Sequence, residues 1–162
     1  MGMYASLFAI PEPLLDQMRV DAAVRNQWLG DLDAIDTHGL GELWHGVHYM
    51  LCGSAKEKRT PLGRAIIGGA PLPGPDLGHG PPLSLRAHEV AEAAAAMAEL
   101  EPTVFAARFD PAAMAAAEVY PSAMWEREAD TVIDELISAY VGLRDYFQRA
   151  AEADLAMLSW IC

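Results

Sequence analysis

Apolar positions fall along this chain in two patterns, short near-continuous runs and longer stripes at three- and four-residue steps. Two near-continuous runs, residues 4–10 and 155–161, read as buried strands, because apolar residues at nearly every position suit a strand covered on both faces. They are expected to lie in one sheet, since an isolated strand leaves its backbone groups unpaired. A third strand is expected around Ala65-Ile66-Ile67, and a brief fourth at Leu83-Ser84-Leu85.

The stripes predict helices. Pro11-Glu12-Pro13 opens a helical stretch marked by Leu14, Leu15, Met18, Ala22 and Val24, either one kinked helix or two short ones. Leu40, Leu43, Trp44, Val47, Met50 and Leu51 make one apolar face, which predicts a helix from about Gly39 to Cys52 with Gly53 as its C-cap. An alanine-rich helix spans residues 86–100. Pro102 starts a short helix, and Asp110-Pro111 starts another with Asp110 as N-cap. The longest helix covers residues 130–153, with Ile133, Leu136, Ile137, Tyr140, Leu143, Phe147 and Ala151 toward the core.

Three segments carry loop signals. Residues 31–36 are acidic, and Lys56-Glu57-Lys58-Arg59 is a charged turn. Residues 70–82 hold five prolines and three glycines, which excludes helix and central strand. A loop of that length in a compact domain is uncommon and is often functional. Strands at both ends and in the middle, with helices between, predict a single α+β domain over residues 1–162, a small mixed or antiparallel sheet packed against several helices.

Composition narrows the partners. The chain has 162 residues and a net charge of −12, with a pI near 4.6. Such a surface repels phosphate backbones and anionic lipid heads, so neither nucleic acid nor membrane is an expected partner; a basic protein or a small molecule is. The two cysteines, Cys52 and Cys162, form no ligand cluster. Cys52 reads as a small core residue, and a disulfide scaffold is not expected, which fits a reducing cytoplasm. No basic residue precedes Arg19, so a signal peptide is not expected either.

Several motifs stand in one order along the chain. They are Met1-Gly2-Met3, then Trp44-His45-Gly46-Val47-His48, then Ile66-Ile67-Gly68-Gly69. Asp76-Leu77-Gly78-His79-Gly80-Pro81, Phe109-Asp110-Pro111, and Tyr120-Pro121 before Trp125 follow. In these the chain resembles the YfbM-like family of uncharacterised bacterial proteins. The resemblance implies an α+β fold. It brings no established activity, so it assigns no catalytic residue.

The chemistry-bearing residues lie in two of these motifs. His45 and His48 are three residues apart on a helix and share a face, so with His79 or a carboxylate they offer a possible metal set. Two ligands do not make a site, and His48 flanks the apolar stripe where a structural histidine sits; no metal and no cofactor are expected. Trp44 falls on the stripe and reads as core, and Gly46 as a point of close approach by another element. Asp76 and His79 form a possible acid/base pair, in a loop whose glycines also suit a purely structural role. The candidate pocket is therefore Trp44, His45, His48, Asp76 and His79. Two readings of function follow. One is a non-catalytic binding or interaction protein, an immunity-type partner of a basic toxin being one form. The alternative is a small enzyme or ligand-binding protein using a cleft between the helix carrying Trp44 to His48 and the loop from Pro71 to Pro82.

Overall fold

A computed structural model describes residues 2–32, 36–74 and 76–162. Among the described residues five strands, β1 (Ala5–Ile10), β2 (Thr37–Gly41), β3 (Ala70–Pro71), β4 (Leu83–Leu85) and β5 (Ala156–Ile161), form one antiparallel sheet in the order β2-β1-β5-β4-β3. β1 (Ala5–Ile10) and β5 (Ala156–Ile161) pair along their whole length, from Ala5 opposite Ile161 to Ile10 opposite Ala156. Successive side chains on a strand point to opposite faces, and both faces are covered here. Leu7 and Met157 join the larger core, with Val47, Phe105, Leu136, Tyr140 and Phe147. Phe8, Ile10, Leu158 and Trp160 point the other way, into a smaller core with Leu15, Met18, Trp28 and Leu72. This double burial is the physical reason that both terminal runs are apolar at nearly every position.

The smaller core is roofed by two short helices, α1 (Glu12–Val20) and α2 (Ala22–Gly30), which resolves the choice between one kinked helix and two. They part at Asp21, whose carboxylate accepts hydrogen bonds from the Ala23 and Val24 N–H groups and so caps the second. Leu15, Met18 and Trp28 are buried while Ala22 is exposed.

Four helices build most of the other side: α3 (Trp44–Cys52), α4 (Pro61–Ile67), α5 (Ala87–Glu99) and α9 (Ala129–Glu152). The Tyr140 hydroxyl of α9 lies 2.6 Å from the Leu100 carbonyl and 3.0 Å from that of Met97, tying α9 to the end of α5. Between α5 and α9 run the short helices α6 (Pro102–Ala106), α7 (Pro111–Ala116) and α8 (Met124–Arg127). Asp110 caps α7 through the Ala113 N–H, as its position before Pro111 predicts. Trp125 of α8 is fully buried, and its indole N–H donates to the Val119 carbonyl at 2.8 Å.

Several expectations are corrected. The helix expected from Gly39 begins only at Trp44, because β2 (Thr37–Gly41) pairs with β1 and Gly41 turns out of the strand at φ +56°. Leu40 is buried from that strand, so its place in the helical stripe is a coincidence of spacing. Ala65-Ile66-Ile67 is the end of α4 and not a strand. Thr60 caps that helix by accepting from the Gly63 N–H, and Pro61 occupies its first turn. The sheet is completed instead by β4 (Leu83–Leu85) against β5 and by β3 (Ala70–Pro71), a two-residue edge strand at the start of the proline-rich loop. The buried face of α9 is rotated slightly, to Val132, Leu136, Tyr140, Leu143, Tyr146, Phe147 and Ala150, which leaves Ile133, Ile137 and Ala151 half-buried. Cys52 is only half-buried. The expected acidic loop at 31–36 falls partly on residues 33–35, which lie outside the described residues.

Candidate functional site

The first turn of α3 stands where the sheet, the 54–60 turn and the glycine-rich loop meet. Trp44 is 6% exposed, its indole N–H donates to the Met3 carbonyl at 3.2 Å, and its ring stacks on His45 with centroids 4.6 Å apart. Gly46 behind it admits Trp125, since a Cβ there would fall 2.3 Å from the indole Cη2. The close approach expected at Gly46 is therefore made by α8.

Both ring nitrogens of His45 are engaged. Nδ1 accepts from the Tyr120 N–H at 2.9 Å, so Nε2 carries the proton and donates to the Ala55 carbonyl, also at 2.9 Å. The ring is thus held in one neutral tautomer, and burial lowers its pKa, partly offset by the bond to Ala55. His48 follows one turn later, fully buried, with Nε2 3.6 Å from Cys52 Sγ and no partner for Nδ1. Burial first, then the neighbouring His45 and Lys58, push its pKa down to about 4. Cys52 Sγ lies 3.1 Å from the His48 carbonyl, and burial raises the thiol's pKa, so this is a poorly nucleophilic thiol. The His45 and His48 rings are 6.3 Å apart, and the first has no lone pair to give a metal. Among the described residues no group of three or more His, Cys, Asp or Glu side chains could hold a metal ion.

Asp76 Oδ1 accepts from the Gly78 and Gly80 N–H groups, each at 2.8 Å, and those bonds lower its pKa. The carboxylate therefore organises its own loop. The His79 N–H donates to the Ile161 carbonyl at 3.3 Å, which seats the loop on the end of β5.

A cleft of about 280 Å³ opens between α3 and this loop. Trp44 and His45 form one wall and His79 the opposite one; Ala55, Lys56 and Lys58 form the rim, and half-buried Ile67, Leu83 and Ile161 the floor. Of the five residues singled out from the sequence, Trp44, His45 and His79 line the cleft; His48 and Asp76 do not. The two lysines escape a sequence reading, where they look like a solvated turn. One signal was available: they are the only lysines in the chain.

A larger cavity, about 450 Å³, lies at the other end of α3 beside Cys52, Arg108 and Asp110. Its charged groups are already committed. Arg108 donates to the last-turn carbonyls of Met50 and Leu51 at 3.0 and 2.7 Å, and Asp110 caps α7. The smaller cleft keeps uncommitted cations, so it is the better candidate.

These features define an α+β protein with helices on both faces of one antiparallel sheet and a small cleft at the sheet's end. The chain belongs to the DUF1877 family, a domain of unknown function whose model matches residues 1–160. Among solved structures it is similar to YfbM, a protein of unknown function from Escherichia coli, at a TM-score of 0.72 and 16% identity over 98% of this chain and 99% of that one. That likeness establishes the fold. No curated protein matches the chain. No helix among the described residues is long and apolar enough to cross a membrane.

Proposed function

We propose that this is a non-catalytic protein that binds a small molecule in the cleft between α3 and the glycine-rich loop. The observation that carries this reading is the division of labour in the cleft. Three of the four groups singled out as acid, base or metal ligand are tied to the fold, which leaves the His79 ring without its expected carboxylate partner, while an apolar floor and two lysines stay available. His45 has both nitrogens bonded within the protein, His48 lies behind the wall, and Asp76 is bound to its own loop. Binding sites combine an apolar lining with a few orienting polar groups, and about 280 Å³ lies just below their usual ~300–1,000 Å³ range, which suits a small ligand. A two-dimensional amide NMR fragment screen on the full chain tests this. Shifts gathered at Ala55, Lys56, His79 and Ile161 support it; hits confined to other surfaces, or none, overturn it.

A second reading, a basic protein partner of immunity type, is supported by the net charge of −12. The exposed side of α9, with Asp130, Asp134, Glu135, Asp145 and Glu152, is where such a partner would be steered. Pull-down of a basic protein that is lost on reversing three of these charges is the corresponding measurement.

A further inference from the structure

Resting on the cleft as a binding site, we infer that its ligand is a small amphipathic anion, a carboxylate or phosphate monoester head on an apolar body. The argument begins with the turn before α4. Lys56 and Lys58 alternate with Glu57, so the two ammonium groups reach the same rim. The carboxylate between them does not line the cleft and accepts from the Arg59 and Thr60 backbone N–H groups. Ser54 Oγ accepts from the Lys56 N–H at 3.1 Å and pins the other end of the turn. Asp76, the acidic residue of the facing loop, is held by the Gly78 and Gly80 amides and does not line the cleft.

Elsewhere four of the nine arginines meet carboxylates: Arg64 meets Glu92 at 2.7 Å, Arg86 meets Asp16 at 2.8 Å, Arg127 meets Glu128 at 2.6 Å and Arg144 meets Glu101 at 3.8 Å. Arg19, Arg25 and Arg108 donate instead to hydroxyl or carbonyl oxygens. Among the described residues no carboxylate oxygen is within ion-pair distance of either lysine. Glu57 and Asp76 keep their charges, but neither side chain lines the cleft, whereas Lys56 and Lys58 both do, so the charged groups that a ligand there would meet are the two ammonium groups.

Distance decides whether that local charge prevails over the net charge. The Debye length at physiological salt is about 8 Å, so a ligand head at the rim feels the two ammonium groups beside it far more than the acids of α9. His79 adds a ring N–H donor on the opposite wall. Beneath the head, Ile67, Leu83 and Ile161 present hydrocarbon and no charge, which suits a short apolar tail. Trp44 is too buried to offer a ring face, so an aliphatic body fits this floor at least as well as an aromatic one.

The test titrates the full chain with hexanoate, hexyl phosphate and the neutral hexanamide, read by amide NMR and repeated with the doubly substituted Lys56→Gln/Lys58→Gln chain. The expected result is that both anions shift the amides of Ala55, Lys58 and His79, and that hexanamide binds more weakly. The double variant should lose about tenfold in affinity for the anions and none for hexanamide, the scale expected of two exposed charges. Tighter binding of hexyl phosphate than hexanoate would mark a phosphate monoester as the natural head and the reverse a carboxylate; either order supports the inference. Equal binding of hexanamide and hexanoate, or anion affinity unchanged in the double variant, overturns the anion inference and leaves the cleft a binding site. No shift at the cleft with any of the three overturns both.

Discussion

The histidines of α3 are kept neutral by their surroundings, and this makes the protein acid-sensitive. His48 has its folded-state pKa lowered from 6.5 to about 4 by burial. Above pH 6.5 neither the folded nor the unfolded chain protonates it, and its contribution to stability is whole. Below 6.5 the unfolded chain takes up a proton that the folded chain refuses, so stability falls as pH drops toward 4. A shift of that size corresponds to about 3 kcal/mol across the window. His38 and His45 are lowered by burial too and act with the same sign. Urea denaturation at pH 7 and pH 4.5 measures this: His48→Gln should flatten the loss, and an unchanged slope would show that His48 is not the titrating group. Gly46 supplies a second residue-scale prediction. Gly46→Ala should cost about 1–3 kcal/mol by overpacking against Trp125, and in the Trp125→Phe background much less. An equal cost in both backgrounds would remove Trp125 as the cause. The approach at Gly46 was legible from a glycine inside a helical stripe. That Trp125 fills the space was not, because α8 is a four-residue helix with no periodicity to read.

At the scale of elements, α3 buries Trp44, Val47, Met50 and Leu51 together. Val47 is wholly inaccessible, so Val47→Asp places an unpaired charge in the larger core and should cost several kcal/mol. A soluble variant with unchanged melting temperature would contradict that placement. β5 is the interior strand that β1 and β4 both pair with, so its removal divides the sheet. Deleting residues 155–162 should abolish cooperative unfolding, and a monomeric truncated chain with a native-like transition would refute this. The elements misread from sequence share one cause. Helix and strand compete for short apolar runs, and spacing alone does not choose between them. At residues 65–67 the deciding signal lay upstream, in the Thr60-Pro61 cap. At residues 37–41 it lay far away, in the partner strand β1.

For the whole molecule, charge is the property with the longest reach. With 23 acidic side chains against 11 Lys and Arg, duplex DNA should not bind at micromolar protein concentration; binding that weakens steeply with salt would contradict this. The cleft is the local exception, and it is a whole-molecule construction. Its walls and rim come from residues 44–58, its floor from residues 67, 83 and 161, and its facing loop from residue 79.

What the sequence determined by itself was whatever depends on neighbours in the chain. The terminal strands follow from near-continuous apolar runs, the α7 start from Asp110-Pro111, the long final helix from its 3.6-residue period, and the acidic surface from simple counting. Only the tertiary structure decided what depends on distant partners. It made residues 37–41 a strand by placing β1 beside them, locked His45 between Ala55 and Tyr120, and set His48 behind the wall. It also brought Lys56 and Lys58 over an apolar floor drawn from three separate elements. The physical reason is that backbone pairing, burial and the screening of charge are set by distance in space, and a local pattern records only the part of that distance that runs along the chain.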